Sequence, residues 1–275
     1  MRDNILIVSS GRKRIGKSVE TLRQVLYQAY EGKYKRKSLI FDINNEYGRF
    51  EMSPGVYHSI KEIHEADIVK YSNHPKAEVR RIVPYKNNMP MNENEIDDLL
   101  VKVMVCFRGG ILVVEDLNNI FGDVLPQKFS AMLCNNAHRN SDIFLHLQSI
   151  GRLLPKIRQN CDIVRFHHQF DDLIDSKEKL KGDYKILKIV QLIVNNEVER
   201  GNKYFFVEIY RDINKIKGQY SPRMLTEAIQ NYLSENYSIL TPLLQRRDKN
   251  GNKIYSYQQA LELKTEELFQ KYYGN

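Results

Sequence analysis

The sequence predicts an α/β fold, a mostly parallel sheet flanked by helices, with a C-terminal strand and a helical extension. Three observations carry this expectation. Short apolar runs of buried-strand type alternate with segments whose apolar residues recur at helical spacing. A glycine-bearing basic octet lies between the first apolar run and the first helical segment. Later apolar runs end in acid or amide side chains, as at the ligand-bearing edge of a parallel sheet.

In order, residues 4–8 (NILIV) read as the first strand. Residues 18–30 read as a helix, with Val19, Leu22, Val25, Leu26 and Ala29 on its apolar side. Residues 38–41 give a second strand that ends at Asp42, and the Asn-, Gly- and Pro-rich stretch 44–54 reads as a loop. A short helix is expected over 59–66, with Ile60, Ile63 and His64 on one side, and short strands over 68–71 and 81–84. Asn92 caps a helix running to about 107, whose acidic first turns (Glu93, Glu95, Asp97, Asp98) suit the positive end of the helix dipole. Residues 110–114 form a strongly apolar strand closed by Glu115 and Asp116. A helix over 125–138, a strand over 142–147 ending at Gln148, a helix near 153–159 and a strand over 162–167 complete the alternation.

The pattern weakens beyond about residue 169. A strand over 204–210, helices over 222–233 and 257–272, and a charged turn over 246–253 remain legible. The expected organisation is therefore a core over 1–168 and an extension over 169–275 packed on it.

Composition bounds the function. The 275 residues, 42% of them hydrophobic and including 17 Tyr and 11 Phe, can bury a sizeable core. No apolar segment approaches the ~20 residues that span a bilayer. The N-terminus runs directly into the first strand, so no signal peptide is expected. Cys106, Cys134 and Cys161 are scattered, odd in number and off metal spacing, which points to a reducing intracellular, cytoplasmic setting. The net charge of +8 is concentrated in residues 1–41, with ten Lys/Arg against three Asp/Glu. Lys33, Lys35, Arg36 and Lys37 form a cluster there that reads either as a nucleic-acid patch or as a solvated basic face.

The octet is Gly11-Arg12-Lys13-Arg14-Ile15-Gly16-Lys17-Ser18, a match to G-x-x-x-x-G-K-[ST] in the strand–loop–helix setting of a P-loop. Its glycines let the backbone curl so that consecutive N–H groups, backed by a helix N-terminus, point at phosphate oxygens. Lys17 can reach the β- and γ-phosphates of ATP, and the Ser18 hydroxyl can ligate Mg²⁺. Hydrolysis also needs a carboxylate beside the metal and a group that orients the attacking water. Glu115 is expected in the Mg²⁺ shell, Asp116 as base or water-positioner, and Gln148 as a hydrogen-bonding reporter of the γ-phosphate. His138, His146, His167 and His168 lie on different elements without ligand spacing and read as core or surface histidines.

The order of these motifs resembles the HerA–FtsK superfamily of P-loop ATPases, a RecA-like group that pumps DNA. The resemblance covers residues 4–168 and rests on four places. They are the P-loop, Asp42 to Gly48 (DINNEYG) after the second strand, Glu115-Asp116, and the stretch from Ala137 to Ser149 (AHRNSDIFLHLQS). It implies a homo-oligomeric ring, usually a hexamer, with double-stranded DNA in the channel and ATP at subunit interfaces. It also implies an arginine finger supplied in trans, for which Arg139 is the best positional match and Arg152 the second. The family usually ends its acid-bearing strand in Asp-Glu, whereas this chain has Glu115-Asp116, which shortens the base by one methylene. A misplacement near 1 Å can cost about 10²-fold in rate, and Glu46 is a nearby acid able to compensate.

The expected function is an ATP-driven DNA translocase for genome packaging or morphogenesis, with Mg²⁺ as cofactor, no membrane span and a capsid or portal-type docking protein. An ATP-binding scaffold with little hydrolysis and a HerA-like repair helicase are the alternatives.

Overall fold

β1 (Leu6–Ser10) and β2 (Ser38–Phe41) bury every residue, which is the pattern of strands covered on both faces. β3 (Phe50–Ser53) and β4 (Val56–His58) form a small antiparallel hairpin, and β5 (Val79–Ile82) returns to the main sheet. A second small hairpin joins β6 (Tyr85–Lys86) to β7 (Met89–Pro90). β8 (Ile111–Val114) and β9 (Asp142–Leu147) are again wholly buried. These features belong to a computed structural model that describes residues 4–116, 129, 133 and 140–274. The chain divides into two compact units, Met1–Ile163 and Val164–Asn275.

In the first unit the strands lie in the order β1-β9-β8-β2-β5, and each adjacent pair is parallel. The expected mostly parallel α/β sheet with flanking helices is present. Helix α1 (Lys17–Tyr30) buries Leu22, Val25 and Ala29, an i, i+3, i+7 set that makes one apolar face. Helix α3 (Glu93–Cys106) starts at a reciprocal cap: the Asn92 side chain accepts from Glu95 N at 3.0 Å, and the Glu95 carboxylate accepts from Asn92 N at 3.0 Å.

Two expectations are corrected here. The stretch expected as a strand over 68–71 is helix α2 (Ile68–Asn73). Ile68 and Tyr71 are buried while Val69 and Lys70 are exposed, so the burial period is three, not two. The helix expected over 59–66 is instead largely extended. Arg81 N donates to Lys61 O at 3.1 Å and Ile63 N to Arg81 O at 2.9 Å, so this stretch runs beside β5. Only a helical turn, Glu65–Asp67, precedes α2. The stretch 44–54, expected as a loop, contains β3. The helix expected over 125–138 lies outside the described residues, except that Phe129 and Leu133 are helical and buried.

Half of the basic cluster before β2 belongs to the fold itself. The Arg36 guanidinium pairs with Asp142 and donates to Gly110 O at 2.8 Å. Lys37 donates to Ser72 O at 2.5 Å and to the carbonyls of Tyr71 and His74, which satisfies the C-terminal end of α2. Lys33 and Lys35 remain exposed. Asp142 also accepts from Ile5 N at 3.1 Å and Asp162 from Leu6 N at 2.7 Å, so two carboxylates hold the start of β1.

In the second unit β10 (Ile163–His167), β11 (Phe206–Tyr210) and β12 (Lys215–Gly218) lie in that order, with β11 and β12 antiparallel. Arg165, 1% exposed, binds Glu208 Oε1 through Nε (2.9 Å) and an Nη (2.7 Å), and its guanidinium lies over the Phe206 ring. Helices α5 (Tyr184–Glu199), α6 (Pro222–Glu235) and α7 (Tyr257–Tyr272) pack in sequence, and Ser221 and Ser256 cap the last two. In the first unit, α4 (Pro155–Asn160) follows β9. Among the described residues no helix is long and apolar enough to cross a membrane.

Candidate active site

Because β1, β9, β8 and β2 run parallel, everything that follows their carboxyl ends meets at one edge of the sheet. β1 leads into the octet, β8 into Glu115-Asp116, β9 into Gln148 and β2 into Asp42. β9 lies between β1 and β8, so its last residues stand between the loop and the two acids.

The loop is tied down at its start by Gly11 N, which donates to Leu147 O at 3.2 Å. It turns into α1 at Gly16, whose φ of 90° lies in the left-handed region that glycine adopts without a Cβ clash. Lys17 is buried, and its ammonium folds back to donate to Gly11 O and, at 2.8 Å, to Arg12 O. Burial lowers its pKa below that of an ordinary lysine, although the nearby Asp116 and Glu115 carboxylates work against the shift. A lysine held this way can exchange two carbonyl partners for phosphate oxygens.

Glu115 is the hub of the site. One carboxylate oxygen accepts from the Tyr47 hydroxyl. The other meets Ser18 Oγ at 3.3 Å and His146 Nδ1 at 2.8 Å. A carboxylate can only accept, so His146 Nδ1 carries a proton toward it. His146 Nε2 stands 2.8 Å from Thr21 Oγ1 on α1, one turn beyond Lys17. Burial pushes the Glu115 carboxyl up. His146, the two hydrogen bonds and the Lys17 ammonium outweigh that and hold it below the usual glutamate value.

Asp42 builds the loop that brings Tyr47 in. Its carboxylate accepts from Glu46 N (2.8 Å), Tyr47 N (3.1 Å) and an Arg81 guanidinium nitrogen (2.8 Å). Arg81 also binds Asn45 Oδ1, Ile60 O (3.2 Å) and Glu62 (3.1 Å). Tyr47 is buried beside Glu115, and its hydroxyl pKa stands well above the ordinary tyrosine value, mainly through burial and then through that charge. Asp116 adopts φ 45° and accepts from Asn44 Nδ2 at 3.0 Å. Glu46 is exposed nearby, and its pKa is raised by partial burial and then by Glu115, Asp116 and Asp42.

The structure thus brings together the octet, Glu115, Asp116 and Gln148. Gln148 is half-buried at the end of β9 and has no side-chain hydrogen bond to a described residue. Arg139, His138 and the side chain of Arg152 lie outside the described residues. His146, which the sequence reads as a core or surface histidine, is fully buried and bonded to the site. Strand alternation was the available signal, since His146 stands two positions before Gln148, the spacing of one strand face. Asp42 carried a sequence signal as the acid ending the second strand, and Tyr47 and Asn44 only as members of the DINNEYG stretch. Arg81 and Thr21 had none.

Ser18 and Glu115 offer Mg²⁺ a hydroxyl and a carboxylate side by side. This suits an ion that takes one or two protein oxygens and completes its shell with water and substrate phosphates. The turn of backbone before α1 and the Lys17 ammonium suit the phosphates themselves.

No family model matches the chain, and no curated protein matches it. Among solved structures, B204, the DNA-packaging ATPase from Sulfolobus turreted icosahedral virus, aligns at 18% identity and a TM-score of 0.50. That alignment covers 79% of this chain and 97% of that one. The genome-packaging NTPase B204 from Sulfolobus turreted icosahedral virus 2, in complex with AMP, aligns at 16% identity and a TM-score of 0.51 over 79% and 97% of the two chains. At these identities the likeness establishes the fold, that of a P-loop NTPase.

Proposed function

We propose that this chain is an ATP-hydrolysing motor of HerA–FtsK type that moves double-stranded DNA, in genome packaging or morphogenesis. The observation that carries the reading is the meeting of Ser18 and Glu115 beside Lys17, the arrangement that phosphoryl transfer requires. Fold likeness to a protein described as a DNA-packaging ATPase, the motif order and the +8 charge support the DNA substrate.

Backbone N–H groups of the octet and Lys17 bind and orient the phosphates, while Ser18 and Glu115 hold Mg²⁺. Bound there, the ion neutralises charge on the phosphate oxygens. Asp116 orients or deprotonates the attacking water, and Gln148, at the strand end, bonds the γ-phosphate or that water. Arg139 acts in trans across the subunit interface of a ring, usually a hexamer, that docks on a capsid or portal-type protein.

Steady-state ATPase rates with and without double-stranded DNA test this. DNA stimulation that vanishes in Lys17→Ala and Asp116→Asn is the expected result. Failure of the wild-type chain to bind ATP would overturn it. A second reading, an ATP-gated scaffold, is favoured by the short Asp116 side chain already engaged by Asn44. Tight ATP binding without turnover under every DNA condition would select that reading.

A further inference from the structure

The Glu115 carboxylate is held on both oxygens by groups from three other elements: α1, the loop after β2, and β9. Tyr47 donates to one oxygen and His146 to the other, the oxygen that also faces Ser18. Both clamping groups are themselves fixed. His146 is wholly buried near the end of β9, opposite Ser9 of β1, and meets Thr21 on the helix that follows the octet. Tyr47 is set by the Asp42 carboxylate, which takes the Glu46 and Tyr47 backbone N–H groups and is held in turn by Arg81. Space is tight around this strut, since a Cβ on Gly48 would stand 3.0 Å from an Arg81 nitrogen.

A free glutamate has three rotatable bonds and no reason to keep one oxygen toward Ser18. Here every torsion that would turn it away breaks a buried hydrogen bond.

We propose that Tyr47 and His146 are positioning residues that lock the Glu115 carboxylate in the orientation in which it and Ser18 share one divalent cation. The inference rests on the nucleotide-site reading above and deepens it. Partners of metal-binding side chains typically cost 10–100-fold in metal affinity or activity when removed. The cost here should fall on the cation and spare the nucleotide, because the octet and Lys17 hold the phosphates without help from Tyr47 or His146.

The test uses the full chain, a non-hydrolysable ATP analogue and Mn²⁺ as a paramagnetic substitute for Mg²⁺. Analogue affinity is measured by calorimetry in chelator and in excess Mg²⁺, and Mn²⁺ affinity of the analogue complex by electron paramagnetic resonance. Tyr47→Phe, which keeps the ring edge-on to Phe50, should weaken Mn²⁺ binding about 10-fold or more. It should leave metal-free analogue affinity near wild type and lower the melting temperature only by what one lost buried hydrogen bond costs.

At position 146 two amides separate position from bulk. His146→Asn places a donor where Nδ1 was and should largely keep Mn²⁺ affinity. His146→Gln reaches toward Thr21 instead and should lose it. Equal Mn²⁺ affinity in wild type, Tyr47→Phe and His146→Gln would overturn the clamp. A wild-type chain that binds no analogue at all would instead sink the nucleotide-site reading, and the clamp with it. If the His146 variants do not fold, Tyr47→Phe decides alone.

Discussion

Ser18 and Glu115 are separated by 97 positions in the chain, yet the hydroxyl of one stands 3.3 Å from the carboxylate of the other. The strand order explains the meeting. β9 sits between β1 and β8, close enough for the first residue of α1 after Lys17 to reach across to the acid at the end of β8.

Lys17→Ala should abolish tight ATP binding while the fold survives. A charge-assisted hydrogen bond is worth about 1.5–3 kcal/mol, so affinity should fall roughly 10–150-fold. The buried ammonium is also costly to the folded chain, so thermal stability should not drop in proportion. Calorimetric titration with ATP beside a melting curve checks both, and wild-type affinity in the variant would refute the role.

Asp116→Asn should slow turnover about 10²–10⁴-fold, the range of general acid–base catalysis, with ATP affinity unchanged. Arg139→Ala should likewise keep affinity and lose turnover. Mixing the two variants should give non-additive rates if the arginine works across an interface. Unchanged turnover in Arg139→Ala would move the role to Arg152 or remove it.

Arg36→Ala should act on stability. Its guanidinium neutralises the buried Asp142 carboxylate, and stranding that charge costs about 2–3 kcal/mol. DNA affinity measured well below the melting temperature should stay at the wild-type level. The paired change Lys33→Ala with Lys35→Ala, at exposed positions, should flatten the salt dependence of DNA binding. A loss of DNA affinity in Arg36→Ala alone would reverse these assignments.

Gly110→Ala should destabilise the chain by about 1–3 kcal/mol, as overpacking does. Its Cβ would stand 2.6 Å from both Lys37 O and a Phe107 ring carbon, and Lys37 O already accepts from Ile111 N. A denaturant midpoint equal to wild type would show that the β2–β8 start is softer than this geometry implies.

Glu46→Gln should stabilise the chain at neutral pH. The folded-state pKa of Glu46 lies above the unfolded value of 4.5, so the folded chain holds its proton longer. Stability associated with this group is full below pH 4.5 and is lost as pH rises through the folded pKa. The glutamine should therefore raise the melting temperature at pH 7 and make no difference near pH 4. A gain of equal size at both values would point to packing.

Legibility in the sequence followed burial. Residues 38–41, 142–147 and 257–272 were readable to the residue, because mostly apolar, wholly buried runs and a Ser-capped helical period leave no competing period. Residues 68–71 were not, since β-branched Ile68 and Val69 with Tyr71 suit a strand by residue type, and the helical period of three shows only in which side chains are buried. β12 carries one apolar residue, Ile216, and takes its form from pairing with β11. In the site, the octet and the acids at the end of β8 were legible by spacing. The Arg81–Asp42 pair was not, because it joins the ends of neighbouring strands 39 positions apart and depends on which strands pair.

Asp116 has φ 45°, a conformation that asparagine and aspartate adopt far more readily than longer side chains. The backbone at 116 thus favours the shorter acid in the second place of the pair. A glutamate at 116 would bring the methylene nearer the substrate but would meet left-handed backbone strain of about 1–2 kcal/mol. Anyone engineering the Asp-Glu order into this protein would have to redesign the turn before exchanging the side chains.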